Sequence, residues 1–263
     1  MINHSFAVMV YKDSPFLCEC LESLKKQTVE SFIFISTSTP SAYIFDIAQK
    51  FGVEVFIGEP RGIANDWNFG LSKTKTKYVT LAHQDDLYMP EYAEKCYNRA
   101  EEFRDTLICF TSYGEIVNDR ERGHTLMLGI KHFILSFFML FQRNIRGKFS
   151  KKLLLSLGNP IPCPSVMYNL ETLNNFQFSN EYTINLDWHA WYRMSKMNGR
   201  FVYVPSSVLK HRIHADSETT RGLKNNVRQR EDVKMFSFFW PAFIAKILSR
   251  IYAWSYKSNE IRQ

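Results

Sequence analysis

Strand-like and helix-like segments alternate along residues 6–82, and this alternation constrains the fold more than any other feature. Short apolar runs are followed by segments with apolar residues at helical spacing, at about 20–25 residues per strand–helix unit. The strand-like runs cover residues 6–11, 31–37, 53–58 and 77–82. This rhythm predicts a parallel α/β sheet flanked by helices. Ligands of such sheets bind beyond the carboxyl ends of the strands.

Two adjacent carboxylates, Asp85 and Asp86, follow the fourth strand-like run, where residues 78–90 read YVTLAHQDDLYMP. One interpretation is a turn or a helix start, because acidic residues are favourable at a helix N-terminus. The other is a site for Mg²⁺ or Mn²⁺, which bind carboxylate oxygens and neutralise a diphosphate. The spacing alone leaves both interpretations open.

Three segments together resemble the family 2 glycosyltransferases. Residues 60–86 read PRGIANDWNFGLSKTKTKYVTLAHQDD and are similar to the family segment in which a glycine, an Asn-x-Gly element and a strand precede an Asp-x-Asp motif. His83 stands where the first acid of that motif is usual. Asp187 before Trp188 resembles the family acid at a helix start, although Leu186 replaces the frequent Glu. His214, within LKHRIHADSETT, resembles the late family histidine.

The resemblance extends over about residues 5–220 and implies a GT-A type fold, a Rossmann-like mixed sheet flanked by helices. To this fold the sequence adds amphipathic C-terminal helices. We expect a catalytic domain at residues 1–220 that comprises a nucleotide-sugar-binding half and an acceptor half. A basic apolar insertion would interrupt the domain and a basic amphipathic segment would follow it. The corresponding ranges are 1–119, 153–220, 120–152 and 221–263.

By the resemblance, Asp187 is the general base of an inverting transfer from a nucleotide-sugar donor. Asp85 and Asp86 would hold Mn²⁺ or Mg²⁺, with His214 as a further ligand. The expected donor-binding residues are Tyr11, Asp13, Ser36, Arg61, Asn68, Asp85, Asp86 and Arg212. Simpler interpretations stay open: Asp187 as a helix cap, His214 as a structural residue and Arg61 in a solvated turn.

The donor nucleotide stays open as well. In the family the second strand often ends in an aspartate that contacts uracil, whereas here residues 36–38 read Ser-Thr-Ser. Hydroxyl groups also hydrogen-bond a base, so UDP-sugars and dTDP-sugars are both compatible with the sequence.

Two other functions compete with glycosyl transfer. A sugar-1-phosphate nucleotidyltransferase would carry a glycine-rich basic loop after the first strand, and residues 11–16, YKDSPF, lack it. A non-catalytic nucleotide-sugar-binding paralogue would have no need to keep Asp187.

Two segments account for the net charge of +7. Residues 120–152 contain eight basic residues and one acid, and residues 221–263 contain nine basic residues and three acids. Both segments are also apolar, but the run from Phe133 to Phe141 is much shorter than the about 20 residues of a membrane span. Interfacial helices combine these features, whereas the alternative is an apolar face packed on the catalytic domain with a solvated basic rim.

These segments therefore predict attachment to a membrane surface and a lipid-linked or glycan acceptor, as in bacterial surface-polysaccharide assembly. Nucleic acid is not an expected partner, because the basic segments are apolar and lie outside the α/β core. Five cysteines without a CxxC pair indicate a reducing compartment. The expected location is the cytoplasm, at the inner face of the cell membrane.

Overall fold

A computed structural model describes residues 2–117, 120–122, 143–214 and 227–257, together with positions 129, 135, 138 and 139. The strands are β1 (His4–Val10), β2 (Phe32–Thr37), β3 (Glu54–Ile57), β4 (Tyr78–His83), β5 (Leu87–Tyr88), β6 (Thr106–Val117), β7 (Arg120–Arg122), β8 (Asn144–Ile145), β9 (Val166–Asn169) and β10 (Arg200–Ile213). The helices are α1 (Leu17–Lys25), α2 (Ala42–Phe51), α3 (Ile63–Lys73), α4 (Tyr92–Glu101), α5 (Lys148–Leu155), α6 (Leu170–Leu173), α7 (Leu186–Ser195), α8 (Val227–Ser237) and α9 (Ala242–Lys257).

The strands form one mixed sheet in the order β3-β2-β1-β4-β9-β6-β10-β5, with β7 on β6 and β8 on β10. Strands β1 to β4 are mutually parallel, as are β6 and β10, and β9 runs antiparallel between β4 and β6. The predicted mixed α/β fold is confirmed. The register pairs Met9 with His83 and Val10 with Thr37, so β1, β2 and β4 end at one edge of the sheet.

Helix α2 shows how local sequence sets the bounds of an element. The Ser41 hydroxyl accepts a hydrogen bond from the backbone N–H of Ile44 at 3.3 Å, which satisfies a donor of the first turn. Gly52 ends the helix in the left-handed conformation, with φ of 60°. Its N–H bonds to the last helical carbonyl groups.

Strand β10 is one strand of 14 residues. Its register against β6 shifts between Val204 and Leu209, on either side of Pro205. Proline has no N–H to give to the ladder, which accounts for an irregularity there. Beyond the shift, the strand carries His211 and Arg212 toward the carboxyl end of β4.

Two short strands of the predicted basic insertion, residues 120–152, belong to the sheet, and its last residues lie in α5. Its first residues form β7 against β6, and β8 pairs with β10. Within the apolar run from Phe133 to Phe141, Leu135 and Met139 are buried in the core. The rest of that run, except Phe138, lies outside the described residues. The predicted bounds of the catalytic domain, the insertion and the C-terminal segment stay a prediction.

Helices α8 and α9 of the C-terminal segment pack on α7. The buried Trp188 ring lies 5.0 Å from the ring of Phe236 and 5.7 Å from that of Tyr252, measured between centroids. Trp240 donates its indole N–H to the carbonyl oxygen of Ser156 at 2.8 Å. Part of this segment therefore completes the core. Within the described ranges, none of the helices combines the length and the apolarity that crossing a membrane requires.

Candidate active site

Three side chains that offer ligand atoms meet where β4 ends. His83, Asp85 and Asp86, here called the His-Asp-Asp cluster, each place one such atom within 4.8 Å of the others. The apolar run of β4 is buried and carries the chain to the carboxyl edge of the sheet. A turn follows, in which the N–H of Asp86 bonds to the carbonyl oxygen of His83 at 3.2 Å. The turn places the two carboxylates beside His83.

Asp86 is completely buried, with 0% of its surface exposed. Its Oδ1 accepts hydrogen bonds from Nδ1 of His211 at 2.8 Å and from the backbone N–H of Arg212 at 2.9 Å. Its Oδ2 has no hydrogen-bond partner among the described residues, and Nδ1 of His83 lies 3.9 Å away. A buried carboxylate oxygen is costly unless something compensates its charge.

The cluster fits a divalent cation. Nε2 of His83 is a second buried polar atom that lacks a partner in the described part of the chain. Such atoms are rare in folded proteins and indicate an ion, a ligand or a water. Two carboxylates and one imidazole are suitable ligands for Mn²⁺, whereas Mg²⁺ prefers oxygen alone.

Side chains in and just after β10 contact Asp85. Its Oδ2 is 2.8 Å from Nε2 of His214, and its backbone carbonyl oxygen accepts a hydrogen bond from Nε of Arg212 at 3.0 Å. The Arg212 guanidinium also bonds to Glu19 at 2.5 Å and covers the ring of Phe16. Burial would raise the pKa of Asp85, but the hydrogen bond from His214 and the nearby imidazoles lower it.

The same two carboxylates raise the pKa of His211. Desolvation would lower its pKa, but Asp86 and then Asp85 outweigh that effect and raise the pKa to about 9. The imidazole is therefore cationic at neutral pH, and it balances part of the negative charge buried at Asp86.

Three of the predicted donor-binding residues lie around the same edge of the sheet. The ring of Tyr11 is exposed, and its backbone carbonyl accepts from the Gln84 amide at 3.0 Å. Ser36 is buried near the end of β2. Asp13 accepts a hydrogen bond from the Ser41 hydroxyl at 2.5 Å, one residue before α2. Their contacts with a donor stay predictions.

Two other predicted donor-binding residues form contacts with other residues of the protein. The Asn68 amide makes two hydrogen bonds to the backbone of Phe178, at 2.7 and 2.9 Å, and so fastens α3 to the loop before α7. Arg61 is exposed and pairs with Glu59 in a turn. A donor contact from Arg61 or Asn68 stays a prediction.

Asp187 lies in the first turn of α7. Its Oδ2 accepts a hydrogen bond from Nδ2 of Asn159 and its Oδ1 accepts one from the backbone N–H of Trp188, both at 2.7 Å. Burial raises the pKa of the Cys163 thiol, and the carboxylates of Asp187 and Asp86 raise it further. Asn159 precedes β9, which pairs with β4, so its contact ties Asp187 to the chain segment that leads into the sheet beside the strand of the His-Asp-Asp cluster.

The model of the glycosyl transferase family 2 matches residues 5–170. The chain belongs to this family. EpsH of Bacillus subtilis (strain 168), a protein whose name places it among the glycosyltransferases, is 28% identical over 111 residues, 40% of this chain and 32% of EpsH.

Solved structures of similar fold agree with the predicted GT-A fold. TarS 1-349 of S. aureus, in complex with UDP-GlcNAc, matches with a TM-score of 0.61 at 13% identity, over 89% of this chain and 64% of that one. The mannosyltransferase PcManGT from Pyrobaculum calidifontis, in complex with GDP-Man and Mn²⁺, matches with a TM-score of 0.60 at 14% identity, over 98% of this chain and 70% of that one. The chain thus spans less than two thirds of EpsH and of that TarS structure.

Sequence reasoning about this family 2 glycosyltransferase missed His211 as a partner of the acidic motif. His211 stands next to Arg212, which was selected, but a sequence does not show which of two neighbours on a strand faces a distant turn. His83 was noted only as a departure from the family pattern, and the structure places it in the cluster.

Glu231 of α8 was also missed. Its carboxylate accepts hydrogen bonds from the backbone N–H groups of Thr183, Ile184 and Asn185, at 2.8 to 2.9 Å. Asp232 accepts a further bond from the Asn185 amide at 2.7 Å. The C-terminal segment of this family 2 member therefore holds the residues that lead into the helix of Asp187.

Proposed function

We propose that the protein is an inverting glycosyltransferase that moves a sugar from a nucleoside-diphosphate donor to an acceptor hydroxyl group. The observation that carries the proposal is the buried, half-partnered carboxylate of Asp86 beside His83, at the carboxyl edge of a family 2 sheet. Asp187 belongs to the same region and supplies a second carboxylate for proton transfer.

In this proposal Asp187 accepts the proton of the acceptor hydroxyl group. Its oxygens accept hydrogen bonds from the amide of Asn159 and from the backbone N–H of Trp188, which would orient the carboxylate for that proton transfer. The acceptor oxygen bonds to the anomeric carbon as the bond from that carbon to the diphosphate oxygen breaks. The displacement inverts the configuration, and the nucleoside diphosphate leaves.

His83, Asp85 and Asp86 would hold Mn²⁺ or Mg²⁺, and the bound cation would offset the negative charge of the diphosphate. His211 and Arg212 would hold the Asp86 carboxylate in place, and His214 would hold that of Asp85. The imidazole of His83 favours Mn²⁺ over Mg²⁺. The Mn²⁺ complex of PcManGT, a protein of similar fold, supports a divalent cation here.

The donor is proposed to be a UDP-sugar or a dTDP-sugar. The exposed ring of Tyr11 would stack on the base, and Ser36 lies where the second strand reaches the same edge. The TarS complexes with UDP-GlcNAc and with UDP support a uridine donor, while PcManGT holds GDP-Man. A nucleotide panel must therefore include all three bases.

The acceptor is proposed to be a lipid-linked glycan, and the protein is proposed to work at the inner membrane face. Support comes from two exposed sets of apolar residues accompanied by Lys and Arg, on α5 and α9. Such helices bind the lipid–water interface without spanning it.

The test incubates the full chain with UDP-, dTDP- and GDP-sugars and either Mn²⁺, Mg²⁺ or a chelator. Melting temperature reports donor binding, nucleoside-diphosphate release reports turnover, and NMR of the product reports anomeric configuration. We expect Mn²⁺-dependent binding of one nucleotide class and inverted product. Formation of nucleoside triphosphate from pyrophosphate would instead indicate a nucleotidyltransferase, and nucleotide binding without turnover under any acceptor would indicate a non-catalytic paralogue.

A further inference from the structure

A basic groove lies between α8 and α9, on the exposed side of the C-terminal helices. Its volume is about 410 Å³, and it is lined by Gln229, Arg230, Val233, Lys246, Ser249 and Arg250. It is separate from the His-Asp-Asp cluster and shares no residue with the proposed chemistry. We call it the basic groove.

Three cations line the basic groove, and the described part of its lining contains no carboxylate. Arg230 comes from α8, and Lys246 and Arg250 stand one turn apart on α9. The nearest acids in sequence, Glu231 and Asp232, are buried on the other side of α8, where they bind residues 183–185. A cleft lined by one sign of charge attracts ions of the opposite sign.

The other polar groups of the basic groove suit a phosphate. The Gln229 amide offers neutral donors, and two guanidinium groups can each bind phosphate oxygens in pairs. The Ser249 hydroxyl is buried, and no partner for it occurs within the described ranges. These groups point to a tetrahedral anion with several acceptor oxygens rather than to a carboxylate alone.

An apolar ridge runs along α9 beside the basic groove. Phe243, Ile247 and Ile251 are four residues apart, so they share one face, and they are 67%, 53% and 64% exposed. Ile247 and Ile251 directly follow Lys246 and Arg250 along the helix. Phospholipids join a phosphate to acyl chains in the same way, with the anion directly above the apolar layer.

We propose that the basic groove binds the phosphate of an anionic membrane lipid while the apolar ridge enters the adjoining acyl region. This inference deepens the proposed membrane association and rests on it, but it does not depend on the proposed chemistry. Phe149, Leu153 and Leu157 form a second exposed set at the same spacing, in and just after α5. The end of α5 touches the C-terminal segment through Ser156 and Trp240.

The test measures binding of the full chain to vesicles by co-sedimentation. One preparation contains phosphatidylcholine alone, one adds phosphatidic acid, and one adds oleate to the same negative surface charge. The groove variant is Lys246→Gln/Arg250→Gln, and its control is Lys25→Gln/Lys26→Gln, which removes equal charge from α1. The ridge variant is Ile247→Ser, and its control is Ile57→Ser on β3, because both isoleucines are 53% exposed.

We expect the groove variant to lose about 25-fold in affinity for phosphatidic acid vesicles, about fivefold for each basic residue. The ridge variant should lose several-fold, while both controls stay within about twofold of the native chain. Oleate vesicles should bind the native chain more weakly than phosphatidic acid vesicles, because a carboxylate does not fill the groove.

Three outcomes would overturn the proposal in distinguishable ways. If the native chain binds no vesicle and inorganic phosphate leaves its melting temperature unchanged, membrane association fails together with the groove. If vesicles bind but groove and control variants lose affinity equally, the groove fails while membrane association stands. If inorganic phosphate raises the melting temperature of the native chain alone, without vesicle binding, the groove takes a soluble anion. Nucleoside-diphosphate binding, measured in parallel, separates all of these from failure of the proposed chemistry.

Discussion

The two edges of the central strands each hold a histidine, in opposite electrostatic surroundings. At the amino edge, His4 is fully buried between the hydroxyl groups of Ser31 and Thr80, at 2.9 and 3.0 Å. Burial without a nearby charge lowers its pKa to about 3. At the carboxyl edge, Asp86 and Asp85 overcome desolvation and raise the pKa of His211 to about 9.

The difference separates a polar site whose groups pair within the fold from the site proposed to bind a ligand. Both ring nitrogens of His4 have partners, and those partners are neutral. At the carboxyl edge, carboxylates and imidazoles are crowded together, and two of their buried atoms have no partner in the described residues. Folding alone gives no reason to build such a cluster, because removing charges from water costs free energy. The proposed cation would supply that reason.

The largest expected effect is at Asp187, on the carboxyl edge. Asp187→Asn keeps the shape of the side chain but removes the proton acceptor, so transfer should fall by about 10²–10⁴-fold. Donor affinity, measured by calorimetry, should stay near the native value. Asp46→Asn, an exposed change on α2, is the control. Near-native transfer by Asp187→Asn would leave this residue as a helix-terminus group only.

Asp86→Asn should reduce transfer by about 10²–10³-fold, because it removes a buried charge at the proposed cation site. Mn²⁺-dependent binding of the nucleoside diphosphate should weaken in parallel. Circular dichroism checks that the variant folds. If nucleoside-diphosphate binding depends on Mn²⁺ as in the native chain, Asp86 has only a structural role. The two edges would then not differ in function.

His4 should affect stability rather than transfer. Its folded pKa lies below the unfolded value of about 6.5, so the unfolded chain binds the extra proton. The stability from neutral His4 is therefore present above pH 6.5 and is lost as the pH falls toward 3. We expect His4→Gln to cost about 1–3 kcal/mol at pH 7.

The pH dependence of the free energy of unfolding of His4→Gln tests the same comparison more directly. Its free energy of unfolding should fall less steeply with acid than that of the native chain, by up to about 1.4 kcal/mol per pH unit. Urea unfolding at several pH values between about 4 and 7 measures this difference. Parallel curves for the two proteins would show that the pKa of His4 is the same in the folded and the unfolded chain.

Glu231→Gln should have the smallest effect on transfer, about tenfold in kcat with little change in donor KM. The amide keeps one acceptor oxygen but brings a donor toward three backbone N–H groups, which loosens the residues before Asp187. Glu231→Asp keeps the charge and should recover part of the loss. Glu171→Gln, an exposed change on α6, is the control. Equal losses in kcat and in stability with no recovery would make Glu231 a general structural residue.

The sequence by itself determined the sheet, the edge at which the acidic motif lies and the family. Apolar runs and helical spacing are local properties, and residues 5–170 carry the family pattern in order. Asp85 and Asp86 were found because they follow a buried strand directly. In each of these cases, neighbours along the chain carry the information.

Only the tertiary structure decided which distant groups complete the site. His211 reaches Asp86 across 125 positions, because β10 runs to the same edge as β4. Glu231 binds residues 183–185 although helical periodicity shows only that α8 has a buried face, not what covers it. The C-terminal segment, predicted to lie on a membrane, buries Met235 and Phe236 in the core and exposes only its other face. An amphipathic pattern identifies an apolar face, and packing alone determines whether protein or another medium covers it.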